Sequence, residues 1–303
     1  MRDLQLPGRS PVITSNGMVS TSQPLSTSAA LTVLKDGGNA MDAALAACAV
    51  QAVVEPASTG IGGDCFCLYA PADSPDIIAI NGSGRAPQAL NTELLLSQGI
   101  TKIEQQSAHS VTVPTAVDAW VQLNRDYGTM PLADLLQPAI GYADDGFPVA
   151  QRSAFDFAGC LALLKGDADA SDVFLKAGQT YQMGEILRQP ALAKTLREIA
   201  EKGRAGFYEG WVADDLLAKL NGLGGLHTAD DLAMARADYV MPISTNFRGY
   251  DIFECPPNRA IHILTDQLDQ TPFRPPRKAA TVIWQSTNEI VAPTCQERSL
   301  MVP

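Results

Sequence analysis

Cys65-Phe66-Cys67-Leu68-Tyr69-Ala70 and Asp76-Ile77-Ile78-Ala79-Ile80-Asn81 read as two β-strands joined by the turn Pro71-Ala72-Asp73-Ser74-Pro75. Helices are expected on both sides of this hairpin. Upstream, residues 17–22 form a short strand-like run. Ser26 or Thr27 then caps a helix over 28–35 that stops at Gly37-Gly38. Asn39 caps a second helix, Asp42 favours the positive end of its dipole, and Pro56 ends it. Alanines on every face of that helix predict a central core position. Downstream, apolar residues recur at three- and four-residue steps over 114–127, 131–145, 190–202 and 207–221, and strand character returns over 247–253. Regular β-α alternation is missing. The order therefore argues against a doubly wound dinucleotide fold and for a layered α+β architecture.

The chain has 303 residues, 46% of them hydrophobic and 18% charged, with a formal net charge of −11. That length can remove about 75% of the unfolded surface from water, so no disulfide or metal staple is needed. The acidic balance excludes a protein that grips nucleic acid by its phosphates, and equally a basic membrane-surface protein. The six cysteines are irregularly spaced. Cys65 and Cys67 share a strand face, but there is no second Cys pair, and His109, His227 and His262 are scattered. Buried thiols are the reading, with no metal and no cofactor expected. The first residues lack the apolar core of a signal peptide, and the apolar stretch 40–54 is too short to span a bilayer. A soluble cytoplasmic protein is expected.

Two glycine-rich segments draw attention. Gly60-Ile61-Gly62-Gly63 lacks the Lys-Ser/Thr of a phosphate loop and leads into a strand rather than a helix. It serves either a tight turn or a close backbone approach. Asn81-Gly82-Ser83-Gly84-Arg85 ends a strand with a flexible loop and one guanidinium. Arg85 is either a solvated loop residue or a seat for a carboxylate. No Gly-x-Ser-x-Gly hydrolase elbow occurs.

Taken in order, the segments resemble the gamma-glutamyltransferase family of N-terminal-nucleophile hydrolases. The resemblance is carried by Gly37-Gly38-Asn39-Ala40-Met41-Asp42-Ala43-Ala44, Gly60-Ile61-Gly62-Gly63-Asp64-Cys65-Phe66 and Asn81-Gly82-Ser83-Gly84-Arg85-Ala86-Pro87. It continues through Tyr127-Gly128-Thr129-Met130-Pro131-Leu132, Gly146-Phe147-Pro148-Val149, Gly206-Phe207-Tyr208-Glu209-Gly210, Asp230-Asp231-Leu232 and Phe247-Arg248-Gly249-Tyr250, and covers about residues 10–257. The resemblance implies an αββα sandwich and a precursor that cuts itself into a large and a small subunit. The small subunit's new N-terminal Thr then attacks a γ-glutamyl amide such as glutathione, and water or an amino acid releases the acyl group. It also implies that Arg85 binds the substrate's α-carboxylate. The Gly62-Gly63-Asp64 loop looks like the cytoplasmic branch. Related acylases act on glutaryl-type amides.

The family's Thr-then-His nucleophile motif is missing: no Thr here has His one or two positions later. The pattern stops near Asn258. Residues 1–258 hold all 24 glycines. The expectation is a large-subunit region over 1–258 and a divergent tail over 259–303, the product of a reading-frame shift or truncation. That leaves an incomplete αββα sandwich. The catalytic residues would lie on a small-subunit partner outside this chain, which by itself would be inactive or a glutamate-binding remnant.

Overall fold

The computed structural model describes residues 12–72, 74–247, 249–256 and 283–285. Helix α1 (Pro24–Lys35) begins earlier than the sequence reading places it, because Pro24 suits a first helical position and the Gln23 side chain accepts from the Leu25 amide. Residues 17–21, read as strand-like, lie in irregular backbone. Helix α2 (Ala40–Val54) starts at Asn39 as expected. Asn39 Oδ1 accepts from the Asp42 amide at 3.0 Å, and Asp42 accepts from the Asn39 amide at 2.9 Å, a reciprocal capping box. Twelve of its fifteen residues are buried. Alanine lets α1 on one side and α5 (Leu132–Asp145) on another approach closely, while Leu45, Val50 and Val53 each contribute about 2 kcal/mol of apolar burial. Asp42 also accepts from the Thr129 amide at 3.0 Å, which ties the loop before α5 to the start of α2.

The hairpin is β1 (Cys65–Tyr69) and β2 (Ile78–Gly82), antiparallel with Cys67 opposite Ile80. After α3 (Thr92–Ser97) comes α4 (Ala116–Tyr127), which packs against both strands, and then α5. A region the sequence reading left blank holds β3 (Phe147–Pro148), α6 (Gln151–Gly159), α7 (Leu161–Leu164), α8 (Ala168–Phe174), β4 (Leu175–Lys176), β5 (Gln179–Thr180) and β6 (Ile186–Leu187). Helix α9 (Pro190–Lys202) matches its expected bounds. The single helix expected over 207–221 is two, α10 (Ala205–Tyr208) and α11 (Gly210–Gly222), because Glu209 between them has extended backbone. Helix α12 (Ala229–Met234) follows.

Next come β7 (Asp238–Val240), β8 (Ile243–Phe247) and β9 (Tyr250–Glu254). The strand expected over 247–253 is a hairpin instead, since Phe247 pairs with Tyr250 and the chain reverses between them. The main sheet runs β10-β1-β2-β7, all antiparallel, with β10 (Ile283–Gln285) contributed from the tail. Cys65, Cys67 and Ile80 face the helical layer. Leu68 and Ala79 face the other way, under Cys255. The architecture is α+β: helices pack on one face of the four-stranded sheet, and the described residues also form three two-stranded ribbons, β3–β6, β4–β5 and β8–β9.

Candidate functional site

The two glycine loops meet at the N-terminus of α4. The Gly63 carbonyl accepts from the amides of Thr115 (3.2 Å) and Ala116 (2.9 Å), and Asp64 Oδ1 accepts from the Gly84 amide at 3.1 Å. The Thr115 hydroxyl donates to the Gly82 carbonyl. Close backbone approach, rather than turn geometry alone, is therefore the role of the second loop. A Cβ on Gly84 would stand 2.1 Å from the Val113 carbonyl oxygen. The Val113 amide in turn donates to the Arg85 carbonyl at 2.8 Å. Arg85 thus has a fixed backbone and a projecting side chain that is 88% exposed.

Arg85 stands at a cavity of about 330 Å³ whose walls include Gln88, Thr115, Asp231, Arg236 and Asp238. Each wall has a definite support. The Gln88 amide donates to Asp231 Oδ1 at 3.0 Å, while the Thr228 amide donates to Oδ2 at 2.9 Å. Burial would raise the Asp231 carboxyl, but the hydrogen bonds from Gln88 and Thr228 outweigh it and hold the group below the usual range. Behind the cavity the His227 ring meets the Val111 carbonyl at 3.0 Å through Nε2. Burial lowers the pKa of this imidazole despite that contact, so the neutral form is favoured.

The opposite wall is anchored by Arg204. Its Nε donates to Asp118 Oδ1 at 2.8 Å, and its Nη2 donates to the carbonyls of Leu232, Ala233 and Ala235 at 3.2, 3.1 and 2.7 Å. A guanidinium on the last carbonyls of α12 suits the negative end of the helix. Asp118 Oδ2 accepts from the Ala237 amide at 2.8 Å. That bond leads the chain into β7, where Asp238 lies across the ladder from Asn81. Asp238 Oδ2 comes within 3.6 Å of Arg85 Nη2.

The sequence reading named Arg85 alone. Asp238, Arg236 and the Asp118–Arg204 anchor escaped it, and only Asp231 lay in a segment that had been noticed. Asp238 carries no local signal, since the β2–β7 pairing brings it to the loop. Among the described residues lining the cavity, Thr115 supplies the one hydroxyl, and that hydroxyl is spent on Gly82. Burial raises the Cys65 thiol well above its usual range and pushes Cys67 up to about 12, so neither is a ready nucleophile. No group of three or more potential metal ligands occurs among the described residues. No helix among them is long and apolar enough to cross a membrane.

The sequence profile described as Gamma-glutamyltranspeptidase matches residues 26–274. A glutathione hydrolase-like proenzyme of Bacillus subtilis is 37% identical over 248 residues, 82% of this chain and 47% of that protein. The chain spans about half the length of the curated relatives it matches. The crystal structure of a cephalosporin acylase from Bacillus halodurans superposes with a TM-score of 0.79 at 40% identity, covering 84% of this chain and 49% of that one. The Helicobacter pylori gamma-glutamyltranspeptidase gives a TM-score of 0.77 at 30% identity, covering 82% and 72%.

Proposed function

Because the chain belongs to the gamma-glutamyltranspeptidase family, we propose that it supplies the carboxylate-binding side of a site that splits γ-glutamyl amides such as glutathione. The observation that carries this reading is Arg85, a projecting guanidinium on an immobilised loop at the mouth of a cavity. A guanidinium so placed can hold a carboxylate through two parallel hydrogen bonds and fix the acyl group for attack. In the reaction, a hydroxyl oxygen bonds to the γ-carbonyl carbon and the C–N bond breaks. The amine leaves with the proton drawn from the hydroxyl. Water or an amino acid then attacks the acyl carbon, the ester C–O bond breaks, and the attacker's proton restores the hydroxyl.

The attacking hydroxyl is assigned in this reading to a small-subunit partner outside the described residues. Residues 1–258 would then form the large-subunit region and 259–303 a divergent, frame-shifted tail. The cytoplasmic setting belongs to the same proposal, on the likeness of the Gly62-Gly63-Asp64 loop, and cell fractionation tests it. A second reading, hydrolysis of glutaryl-type amides, is favoured by the likeness to the cephalosporin acylase.

The test is release of the chromophore from a γ-glutamyl anilide. The purified chain should give none, and co-expression with the downstream coding segment should give turnover. Arg85→Ala should then lower kcat/KM by about tenfold or more. Turnover by the 303 residues alone, or turnover indifferent to Arg85→Ala, would sink the reading. Sequencing across codon 258 tests the tail: an alternative frame that does not continue the family pattern would refute a frame shift.

A further inference from the structure

We infer that His227 is a positioning residue for the Arg85 site: its neutral ring pins the segment from which the Arg85 loop hangs, and protonation of the ring releases that segment. The consequence for ligand binding rests on the reading of Arg85 as the carboxylate seat. Residues 111–116 tie the two glycine loops together. The Val113 amide donates to the Arg85 carbonyl at 2.8 Å, the Thr115 hydroxyl donates to the Gly82 carbonyl, and the Thr115 and Ala116 amides donate to the Gly63 carbonyl. One end of the segment runs into α4. At the other end the Val111 amide makes a local bond to the Ala108 carbonyl. The bond that joins Val111 to a distant element is the one between its carbonyl and His227 Nε2, 3.0 Å long.

A carbonyl can only accept, which assigns the proton of the neutral ring to Nε2. The residue is 2% exposed, and Nδ1 has no hydrogen-bond partner among the described residues. A Cβ on Gly225 would stand 3.3 Å from Nδ1, so the ring lies close against that backbone. A second proton, on Nδ1, therefore creates a buried charge that gains by swinging out to water. Val111 then loses its donor, and the anchor of Val113 and Arg85 loosens with it. Asp231, on α12, is the charged group that faces the ring. Its charge favours the imidazolium, as do the backbones of Val111 and Thr112, but burial opposes it and prevails. The Asp231 oxygens are already engaged by Gln88 and Thr228. His109 is the one titratable side chain of residues 107–116, and residues 220–228 hold none besides His227.

Hydrogen exchange of the Val113 amide in the full chain, read by NMR and corrected for the intrinsic rate, tests this at pH 7.5 and pH 5.5. Val113 should be less protected than the α2 amides at both values, which marks a local opening. In the wild type and in His109→Gln its protection should fall severalfold, by up to about tenfold, at the lower pH. His227→Gln, which keeps a donor for Val111, should match the wild type at pH 7.5 and show no such fall. His227→Leu should lose protection at both values. No fall in the wild type, an equal fall in His227→Gln, a fall abolished by His109→Gln instead, or protection equal to that of α2 would each overturn the inference. Calorimetric titration with L-glutamate is the second arm. Its affinity should drop with the Val113 protection in the wild type and hold in His227→Gln, and an affinity that ignores that protection would overturn the link to binding. If Val113 responds as expected but the wild type binds no glutamate, or Arg85→Ala binds it equally well, the carboxylate seat falls and the loop anchor stands.

Discussion

Arg204 and Asp118, 86 residues apart, form the most buried ion pair among the described residues, with Nε 2.8 Å from Oδ1 and side-chain exposures of 19% and 2%. The Arg204 Cζ also lies 4.3 Å from the Tyr208 ring centre, and the Tyr208 hydroxyl accepts from the Asp118 amide at 3.1 Å. The pair therefore holds three elements in register: α4, α10 and the end of α12. Removing one partner of such a pair strands the other in a dry setting. Arg204→Met should cost about 3 kcal/mol of stability in urea unfolding. It should also loosen the segment that carries Arg236 and Asp238. A loss under about 0.5 kcal/mol would mean that the carbonyls and Asp118 find other partners.

Two glycines of the neighbouring loops should respond in opposite ways to the same change. A Cβ on Gly84 runs into the Val113 carbonyl, which is backbone and cannot swing aside, whereas a Cβ on Gly62 meets nothing within 4 Å. Gly84→Ala should therefore shift the Arg85 loop, cost about 2 kcal/mol and abolish carboxylate binding. Gly62→Ala should leave stability within about 0.5 kcal/mol of the wild type. Equal effects in calorimetry and unfolding would show that close approach at Gly84 does not set the loop.

Local signals made much of this fold readable. Asn39 and Asp42 announce the start of α2 within four residues, and Pro190 with its apolar period announces α9, because caps and periodicity act at short range. The β1–β2 hairpin needs only its turn. The β2–β7 pairing has no such signature, since Asn81 and Asp238 meet only once the intervening helices have packed. For the same reason Arg85 stood out as a lone guanidinium in a glycine loop, whereas Asp238 and Arg204 looked like ordinary charged residues. The break at Glu209 was hidden because apolar periodicity runs through it.

Burial should silence the thiols. It raises Cys48 and Cys65 well above their usual range, pushes Cys67 up to about 12 with help from Cys255, and pushes Cys255 itself up to about 11. A thiol with so little thiolate alkylates slowly, so at pH 8 labelling of Cys67 should be about a thousandfold slower in the native chain than in urea. Cys295 lies outside the described residues, and Cys295→Ser removes its contribution. Mass spectrometry after iodoacetamide treatment reads each position. Rapid native labelling of Cys65 or Cys67 would show an accessible thiolate near the loops and reopen a cysteine nucleophile.

His227 should give the fold a pH dependence of definite sign. Desolvation lowers its pKa, and although the contacts with Val111 and Asp231 act in the opposite sense, the net shift is downward. The folded chain then binds fewer protons at this site than the unfolded chain does. Its contribution to stability is complete above the ordinary histidine value of about 6.5 and is lost as pH falls through the lower folded value. Urea midpoints measured from pH 7.5 down to pH 5 should therefore fall more steeply for the wild type than for His227→Gln, which keeps a donor for the Val111 carbonyl without a titrating ring. Asp231 is also shifted down and its charge acts on His227, but a carboxyl held below its usual range of about 4 titrates below the window from pH 7.5 to pH 5. Parallel slopes would mean that His227 titrates as in the unfolded chain. A shallower slope in the wild type would reverse the sign and place a charged imidazole behind the cavity.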